Sequence, residues 1–210
     1  MDAEIQGEGG MREVQIGPQD SLLCLKDCFD GLILHLLEIN ALTVPPGLVK
    51  AILHQESRFN PLAESKTGAE GLGQFTERTW TGLYENPATE EAETDIFTNL
   101  SRTIRNLAEL WPWAVKHSGS SGEEAVRFTL AGYNLGPGNV NACQEWAEAA
   151  GCDGKDWNTV SEVIEPALLD RGWPAEKAQD KARETEHYVP AILSLFQLYA
   201  PDFEGKHAEG

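Results

Sequence analysis

Apolar residues recur at helical spacing along most of this chain, and that periodicity limits its fold more than any other feature of the sequence. The first stripe consists of Leu22, Leu25, Phe29, Leu32, Leu36 and Ile39, with Asp20 or Ser21 available as its N-cap. Further helices are predicted at about 46–57, 77–84, 92–111, 123–133, 139–149, 158–170 and 175–199. The pattern therefore predicts a mainly α-helical protein.

The segment 58–76 interrupts this pattern with residues that favour turns. It contains Asn60-Pro61 and the glycines Gly68, Gly71 and Gly73, too many turn formers for a single helix. At most a short hairpin, near 66–75, is expected there. Later in the chain, Pro112 predicts the end of the helix that begins near 92.

The charge balance is strongly acidic, with 34 Asp and Glu against 16 Lys and Arg and a net charge of -18. Such a surface repels nucleic-acid phosphates and anionic lipids, so neither is an expected partner. No segment carries the roughly 20 apolar residues that a membrane-spanning helix needs. We therefore expect no membrane insertion.

The length of 210 residues suits one globular domain. Residues 1–19 are rich in glycine and charge and are expected to form a flexible arm. Residues 20–210 are expected to form a single domain that is monomeric in solution. The N-terminus has neither a basic start nor an apolar run, so it predicts no ordinary secretory signal.

Four cysteines leave three interpretations open. Cys24 and Cys28 lie four residues apart, and Cys143 and Cys152 flank a short segment that can close into a loop. Free buried thiols are the ordinary outcome for such residues. The alternatives are a disulfide within either pair or a four-cysteine metal site, although neither pair has the close spacing of zinc ligands.

Glu56 is the first candidate for chemistry. It follows Ile52 by four residues and Leu53 by three, so it continues the inward-facing stripe of the helix predicted at 46–57. Burial disfavours the charged form of a carboxyl group, and the negative end of the helix dipole acts in the same direction. Both effects raise the pKa of a glutamate, as a general acid at neutral pH requires.

Two later stretches can line a cleft beside that carboxyl group. After Glu56-Ser57 and Asn60-Pro61 come Ser65 and the run Gly68-Ala69-Glu70-Gly71-Leu72-Gly73-Gln74. Glycines permit a close approach of the backbone to an extended ligand, and Gln74 offers both a donor and an acceptor. Much later, Tyr133 and Asn134 precede the glycine turn Gly136-Pro137-Gly138, which ends a predicted helix.

Together and in this order, these motifs resemble the soluble lytic transglycosylases, a family of the lysozyme-like superfamily related to goose-type lysozymes. The family pattern has Glu-Ser, Asn-Pro, a Ser, Gly-Ala-x-Gly-Leu-Met-Gln, Ala-Tyr-Asn-x-Gly and a late Glu-Thr-x-x-Tyr-Val. That last element stands here as Glu184-Thr185-Glu186-His187-Tyr188-Val189. The resemblance covers most of the chain and implies a lysozyme-like helical domain with a substrate cleft.

The resemblance also implies an activity. The family cleaves the β-1,4 bond between MurNAc and GlcNAc in peptidoglycan glycan strands and leaves 1,6-anhydro-muropeptides. Glu56 would then act first as general acid and afterwards as base, without a metal or an organic cofactor. The residues that would support it or bind substrate are Ser57, Ser65, Gly71, Gln74, Tyr133, Asn134, Glu184 and Tyr188.

The chain departs from the family pattern in three places. Gly73 replaces a Met and Gly132 replaces an Ala, and both changes are expected to widen or loosen the cleft. The segment between Asn134 and Glu184 is longer than the family needs. It predicts a helical insertion at about 139–175 that forms one rim of the groove.

Two other functions stay open. A water between Glu184 and Glu56 would give a muramidase, the outcome of goose-type lysozymes. A non-catalytic module would bind the cell wall without turnover. The histidines show no ligand spacing, and the hydrolase elbow and the zinc-protease motif are both missing.

The expected place of action is the bacterial cell wall, in the periplasm or at the exterior. Since the N-terminus predicts no signal peptide, a phage-encoded enzyme is the preferred hypothesis; delivery by a secretion system and secretion with a leader that is missing from this sequence stay open.

Overall fold

The computed structural model describes residues 27–66, 68–76 and 95–205. Helices dominate this part of the chain: α1 Asp30–Ile39, α2 Pro46–Ser57, α3 Ile96–Ser118, α4 Glu123–Leu135, α5 Pro137–Ala149, α6 Trp157–Ser161, α7 Ile164–Asp170 and α8 Ala175–Tyr199, followed by the 3₁₀ helix Ala200–Phe203. Strands β1 Ala69–Glu70 and β2 Phe75–Thr76 form an antiparallel hairpin. The predicted mainly α fold with a short hairpin is confirmed.

Helix α4 lies at the centre of the packing. It contacts α3, α5 and α8, and its residues Phe128, Leu130 and Ala131 are fully buried. A helix that is apolar on most of its circumference is stable only with neighbours on several sides. Helix α2 also packs against α8, and α1 packs against both α2 and α3. The core therefore holds the C-terminal ends of α2 and α4 near the same stretch of α8.

Two predicted helix boundaries are wrong, and proline explains both. Helix α3 does not end before Pro112 but continues to Ser118, because Pro112 is exposed while Ala114 beyond it is fully buried. That burial offsets the one backbone bond that proline removes. The helix predicted at 158–170 is instead two helices, α6 and α7. Pro166 lies in the first turn of α7, where a missing N–H is tolerated.

Other expectations fall outside the described residues. These are the N-terminal arm at 1–19, the start of the first predicted helix and the helix predicted at 77–84. The region 139–175 is helical as predicted, in α5, α6 and α7; that it is an insertion stays a prediction. Within the described ranges, no helix is both long and apolar enough to cross a membrane.

Cys143 and Cys152 are both free thiols. Cys143 is fully buried, and that burial raises its pKa to about 12. Cys152 is exposed and makes no disulfide with Cys143. The disulfide interpretation of this pair is therefore wrong, whereas Cys24 lies outside the described residues.

A buried ammonium group fastens both ends of the described chain to α2. Lys50 has no exposed surface, and its Nζ lies 3.1 Å from Asp27, 2.7 Å from Asp30 and 3.0 Å from Asp202. Nζ also lies 5.0 Å from the ring centroid of Tyr199. Burial opposes the charge of Lys50, but the three carboxylates outweigh it and hold its pKa above the ordinary value. The three carboxylates are close enough together to bind a metal ion, but the ammonium group of Lys50 already occupies the space between them.

Replacing Lys50 with Met is expected to destabilise the fold by about 3–5 kcal/mol, since it leaves the buried carboxylate of Asp30 without its counter-charge. Urea unfolding at neutral pH measures the change. The matched control is Lys177→Met on the exposed surface of α8, for which we expect a change within about 0.5 kcal/mol. Equal stabilities of the two variants would contradict this account of Lys50.

Candidate active site

Glu56 lies in the last turn of α2, where the helix ends at a left-handed turn. Arg58 follows Ser57 with φ 52°, and its N–H donates to the carbonyl group of His54, which closes the helix. Phe59, 2 % exposed, then anchors the turn in the core. This geometry leaves the Glu56 side chain half-buried at the edge of the helix, as its place on the inward stripe predicts.

A tyrosine from the distant helix α8 contacts this carboxyl group directly. The hydroxyl group of Tyr188 donates to Glu56 Oε1 over 2.5 Å. Burial raises the pKa of Glu56 to about 7, although the Tyr188 hydrogen bond opposes the rise; the charge of Glu184 adds to it. Glu56 therefore carries its proton in a large fraction of molecules at neutral pH, while a solvent-exposed glutamate does not.

Glu184 has the opposite electrostatic environment. Its Oε1 accepts hydrogen bonds from Asn134 Nδ2 at 2.7 Å and from Lys181 Nζ at 2.9 Å. Burial favours the neutral form of Glu184, but Lys181 and Asn134 outweigh it and hold its pKa below the ordinary value. Two carboxyl groups with pKa values moved in opposite directions are typical of acid–base sites.

Tyr133 connects α4 to the hairpin instead of to Glu184. Its hydroxyl group donates to the carbonyl oxygen of Gly73 over 2.9 Å. Burial and the charge of Glu56 raise the pKa of Tyr133 well above the ordinary value. The structure therefore shows Glu184 in contact with Asn134 and not with Tyr133.

The predicted residues of the 57–74 segment make contacts that shape the hairpin. Ser65 Oγ accepts from the N–H of Ala69, and Gln74 Nε2 donates to the carbonyl oxygens of Ala63 and Gly71. Gly71 and Gln74 have φ of 76° and 50°, a region that favours glycine. Ser57 Oγ donates to the Leu53 carbonyl group within α2. These residues build the wall beside Glu56; their contacts with a sugar stay a prediction.

Two residues of α3 that the sequence does not single out fix this wall. Asn99 is 1 % exposed, and its Oδ1 accepts from the N–H of Gly73 over 2.8 Å. Thr103, one turn later, is fully buried against the same glycine. In the sequence, Asn99 and Thr103 differ from their surroundings only in being polar residues next to the predicted apolar face of this helix.

The expectation that Gly73 and Gly132 loosen the cleft is wrong. A Cβ atom on Gly73 would collide with the hydroxyl group of Thr103 and lie 2.8 Å from Phe75. A Cβ atom on Gly132 would lie 2.8 Å from the ring of Trp113. Neighbouring side chains already fill both spaces, so these glycines permit close packing and open no gap.

A groove runs along α8 beside these groups. The residues that line it are Gln55, Asp180, Arg183, Glu184, His187, Tyr188 and Ala191. Tyr188, which lines this groove, also donates to Glu56, so the groove lies next to the carboxyl group although Glu56 itself does not line it. Its charged rim suits a polar, extended ligand better than an apolar one.

A helical domain with a proton-holding glutamate in a cleft is the arrangement expected of lysozyme-like enzymes. The sequence profile of the family described as Transglycosylase SLT domain matches residues 38–153, more than half of the chain. The chain belongs to this family. The match includes Glu56, Gln74, Tyr133 and Asn134, whereas Tyr188 lies beyond it and is brought to the site by α8.

Individual relatives agree with this assignment. The chain is 32% identical over 159 residues to the membrane-bound lytic murein transglycosylase F of Desulfosudis oleivorans, covering 72% of this chain and 32% of that protein. The proteins of the same name in Aeromonas salmonicida and Stutzerimonas stutzeri are 29% and 31% identical over 77% and 76% of this chain. The chain spans about a third of the length of these relatives.

Restoring an alanine at position 132 is expected to destabilise this chain. Gly132→Ala places a methyl group against Trp113 and should cost about 1–3 kcal/mol of unfolding free energy. The matched control is Gly31→Ala in α1, where no atom lies within 4 Å and helix propensity predicts a gain of about 0.5–1 kcal/mol. A stabilising effect at position 132 would show that the packing around Trp113 is loose.

Tyr188→Phe is expected to raise the pKa of Glu56 above 7. The lost hydrogen bond favours the charged carboxylate, so its removal favours the proton. NMR titration of ¹³C-labelled glutamate measures the shift. Tyr199→Phe removes a hydroxyl group that contacts His54 and should leave the Glu56 titration unchanged. A Glu56 pKa that stays constant or falls in Tyr188→Phe would contradict the contact.

Proposed function

We propose that this chain is the catalytic domain of a peptidoglycan lytic transglycosylase, with Glu56 as its acid and base. The observation that carries the proposal is the environment of Glu56, whose burial raises its pKa to about 7 beside the Tyr188 hydroxyl group. The family assignment supports the same substrate class, because the relatives are named lytic murein transglycosylases.

The first step breaks the β-1,4 bond between MurNAc and GlcNAc. The proton on Glu56 passes to the glycosidic oxygen, and the C1–O bond breaks while its electron pair stays with the leaving GlcNAc. Tyr188 donates to the carboxylate that results and stabilises it. The N-acetyl group of the substrate stabilises the positive charge that develops at C1. The nearby carboxylate of Glu184 favours that charge as well.

The second step uses the same residue in the opposite sense. Glu56, now ionised, takes the proton of the sugar's own 6-hydroxyl group as the C1–O6 bond forms. The product is a 1,6-anhydro ring, and no water is consumed. A carboxyl group with a pKa close to 7 suits both steps, since it gives up and regains a proton at similar cost.

The walls of the cleft have separate tasks in this proposal. The hairpin residues Ser65, Gly71 and Gln74 hold the glycan strand, and Ser57 supports the end of α2. Tyr133 and Asn134 line the reacting subsite from α4. Neither a metal nor an organic cofactor takes part.

The proposed place of action is the peptidoglycan of the bacterial cell wall. The relatives named above come from bacteria and carry the description membrane-bound, which is a property of those longer proteins. Phage origin and delivery by a secretion system stay predictions from the sequence. We also propose that the domain at 20–210 acts as a monomer.

A muramidase is the second candidate, and one observation favours it. Glu184 is held ionised by Lys181 and Asn134, so it is able to accept a proton from a water that attacks C1. Analysis of the products separates the two reactions. Anhydro-muropeptide ends support the transglycosylase, and reducing MurNAc ends would show hydrolysis.

Glu56→Gln is expected to lower the rate of release of soluble fragments from purified peptidoglycan by roughly 10²–10⁴-fold, since it removes the general acid. Its matched control is Glu38→Gln, an exposed glutamate of α1 that should keep wild-type activity. Activity of Glu56→Gln equal to wild type would refute the assignment. A wild-type protein that binds peptidoglycan but releases no fragments would favour the non-catalytic cell-wall-binding module.

A further inference from the structure

Thr185 of α8 has no exposed surface and faces the Asn134–Glu184 pair. Its Oγ1 lies 2.7 Å from Asn134 Oδ1 and 2.8 Å from the Lys181 carbonyl oxygen. The other end of the same Asn134 amide donates from Nδ2 to Glu184 Oε1 over 2.7 Å. The amide of Asn134 is therefore held at both ends by residues of α8.

The position of one proton determines how this network is arranged. The hydroxyl group of Thr185 has a single hydrogen, and both of its neighbours are acceptors. If that hydrogen pointed to Lys181, two oxygen atoms of Thr185 and Asn134 would face each other at 2.7 Å with no proton between them. Reversing the amide would instead bring its oxygen against the Glu184 carboxylate. Donation from Thr185 to Asn134 Oδ1 removes this conflict, and the Lys181 carbonyl oxygen keeps the backbone N–H of Thr185 as its helical donor.

We infer that Thr185 is a positioning residue that orients the amide of Asn134 and through it holds the Glu184 carboxylate beside Glu56. This inference rests on the proposed function, because its consequence is measured on the reaction that Glu56 performs. It assigns a task to a hydroxyl group that touches neither the substrate path nor Glu56. Thr185 thus acts only through Asn134.

Loss of the Thr185 contact leaves the Asn134 amide free to rotate, and the Glu184 charge near Glu56 then changes its position. Among the described residues, the polar and charged groups around Glu184 are Asp180, Lys181, Arg183, His187 and Tyr188 of α8, Gln55 and Glu56 of α2, and Asn134 of α4. Among them, Lys181 and Asn134 bind Glu184 Oε1 directly. Without the Asn134 bond, the Glu184 carboxylate is no longer held in place and turns towards Lys181 and solvent, so its negative charge raises the Glu56 pKa less. The alkaline limb of activity should then move to lower pH.

The test compares Thr185→Val with Thr185→Ser on purified peptidoglycan. Valine keeps the shape and removes the hydroxyl group, so we expect kcat to fall by about tenfold and the alkaline limb to move to lower pH. Serine keeps the hydroxyl group and should restore both to near wild type. Thr129→Val is the matched control, because Thr129 is equally buried and its Oγ1 donates only within α4, to the Ala125 carbonyl group.

A double-mutant cycle with Asn134→Ala shows whether Thr185 acts through Asn134. In that background, Thr185→Val should cause no further loss, whereas independent roles would make the two losses multiply. Losses that multiply, an unshifted pH limb or a failed serine rescue would each overturn the inference. Thermal unfolding of every variant identifies folded protein, and Thr185→Ala replaces the valine if that variant does not fold. Failure of the proposed function is recognised by a different result, namely Glu56→Gln activity equal to that of the wild type.

Discussion

The hydrogen bond between Tyr188 and Glu56 is the contact on which the site depends. It joins the C-terminal end of α2 to the middle of α8, two helices that the core already packs together. The bond places a phenol against a carboxyl group that burial makes reluctant to ionise. A carboxyl group in this environment is able to hold a proton at neutral pH and to tolerate its loss. Both properties are needed if one residue serves as acid and then as base.

The second constraint is that two neighbouring carboxyl groups differ in protonation, since Glu56 tends to keep its proton and Glu184 tends to be ionised. Burial raises the pKa of Glu56, while Lys181 and Asn134 lower that of Glu184. The central helix α4 makes this possible, because it presents Tyr133 to the hairpin and Asn134 to α8 from consecutive positions. In the proposed reaction, the fixed charge of Glu184 favours both the proton on Glu56 and the positive charge at C1. The same fixed charge is the reason why hydrolysis is the nearest competing outcome.

Local patterns were sufficient to predict the helix Pro46–Ser57 and the inward position of Glu56, since proline, apolar spacing and turn formers all act within a few residues. The ordered motifs also predicted the family. Contacts between distant residues were not accessible in this way. The packing of Trp113 against Gly132, the role of Asn99 and the course of α3 through Pro112 all depend on which helices meet in the core. The Thr185–Asn134 bond has the same origin.

The pH dependence of glycan cleavage tests the central claim most directly. If protonated Glu56 starts the reaction, the rate of release of soluble fragments should be constant below its pKa. It should then fall about tenfold per pH unit above a midpoint near pH 7. Glu38→Gln should give the same curve as wild type. A rate that stays constant from neutral to strongly alkaline pH, or one that falls at the ordinary pKa of an exposed glutamate, would contradict the account.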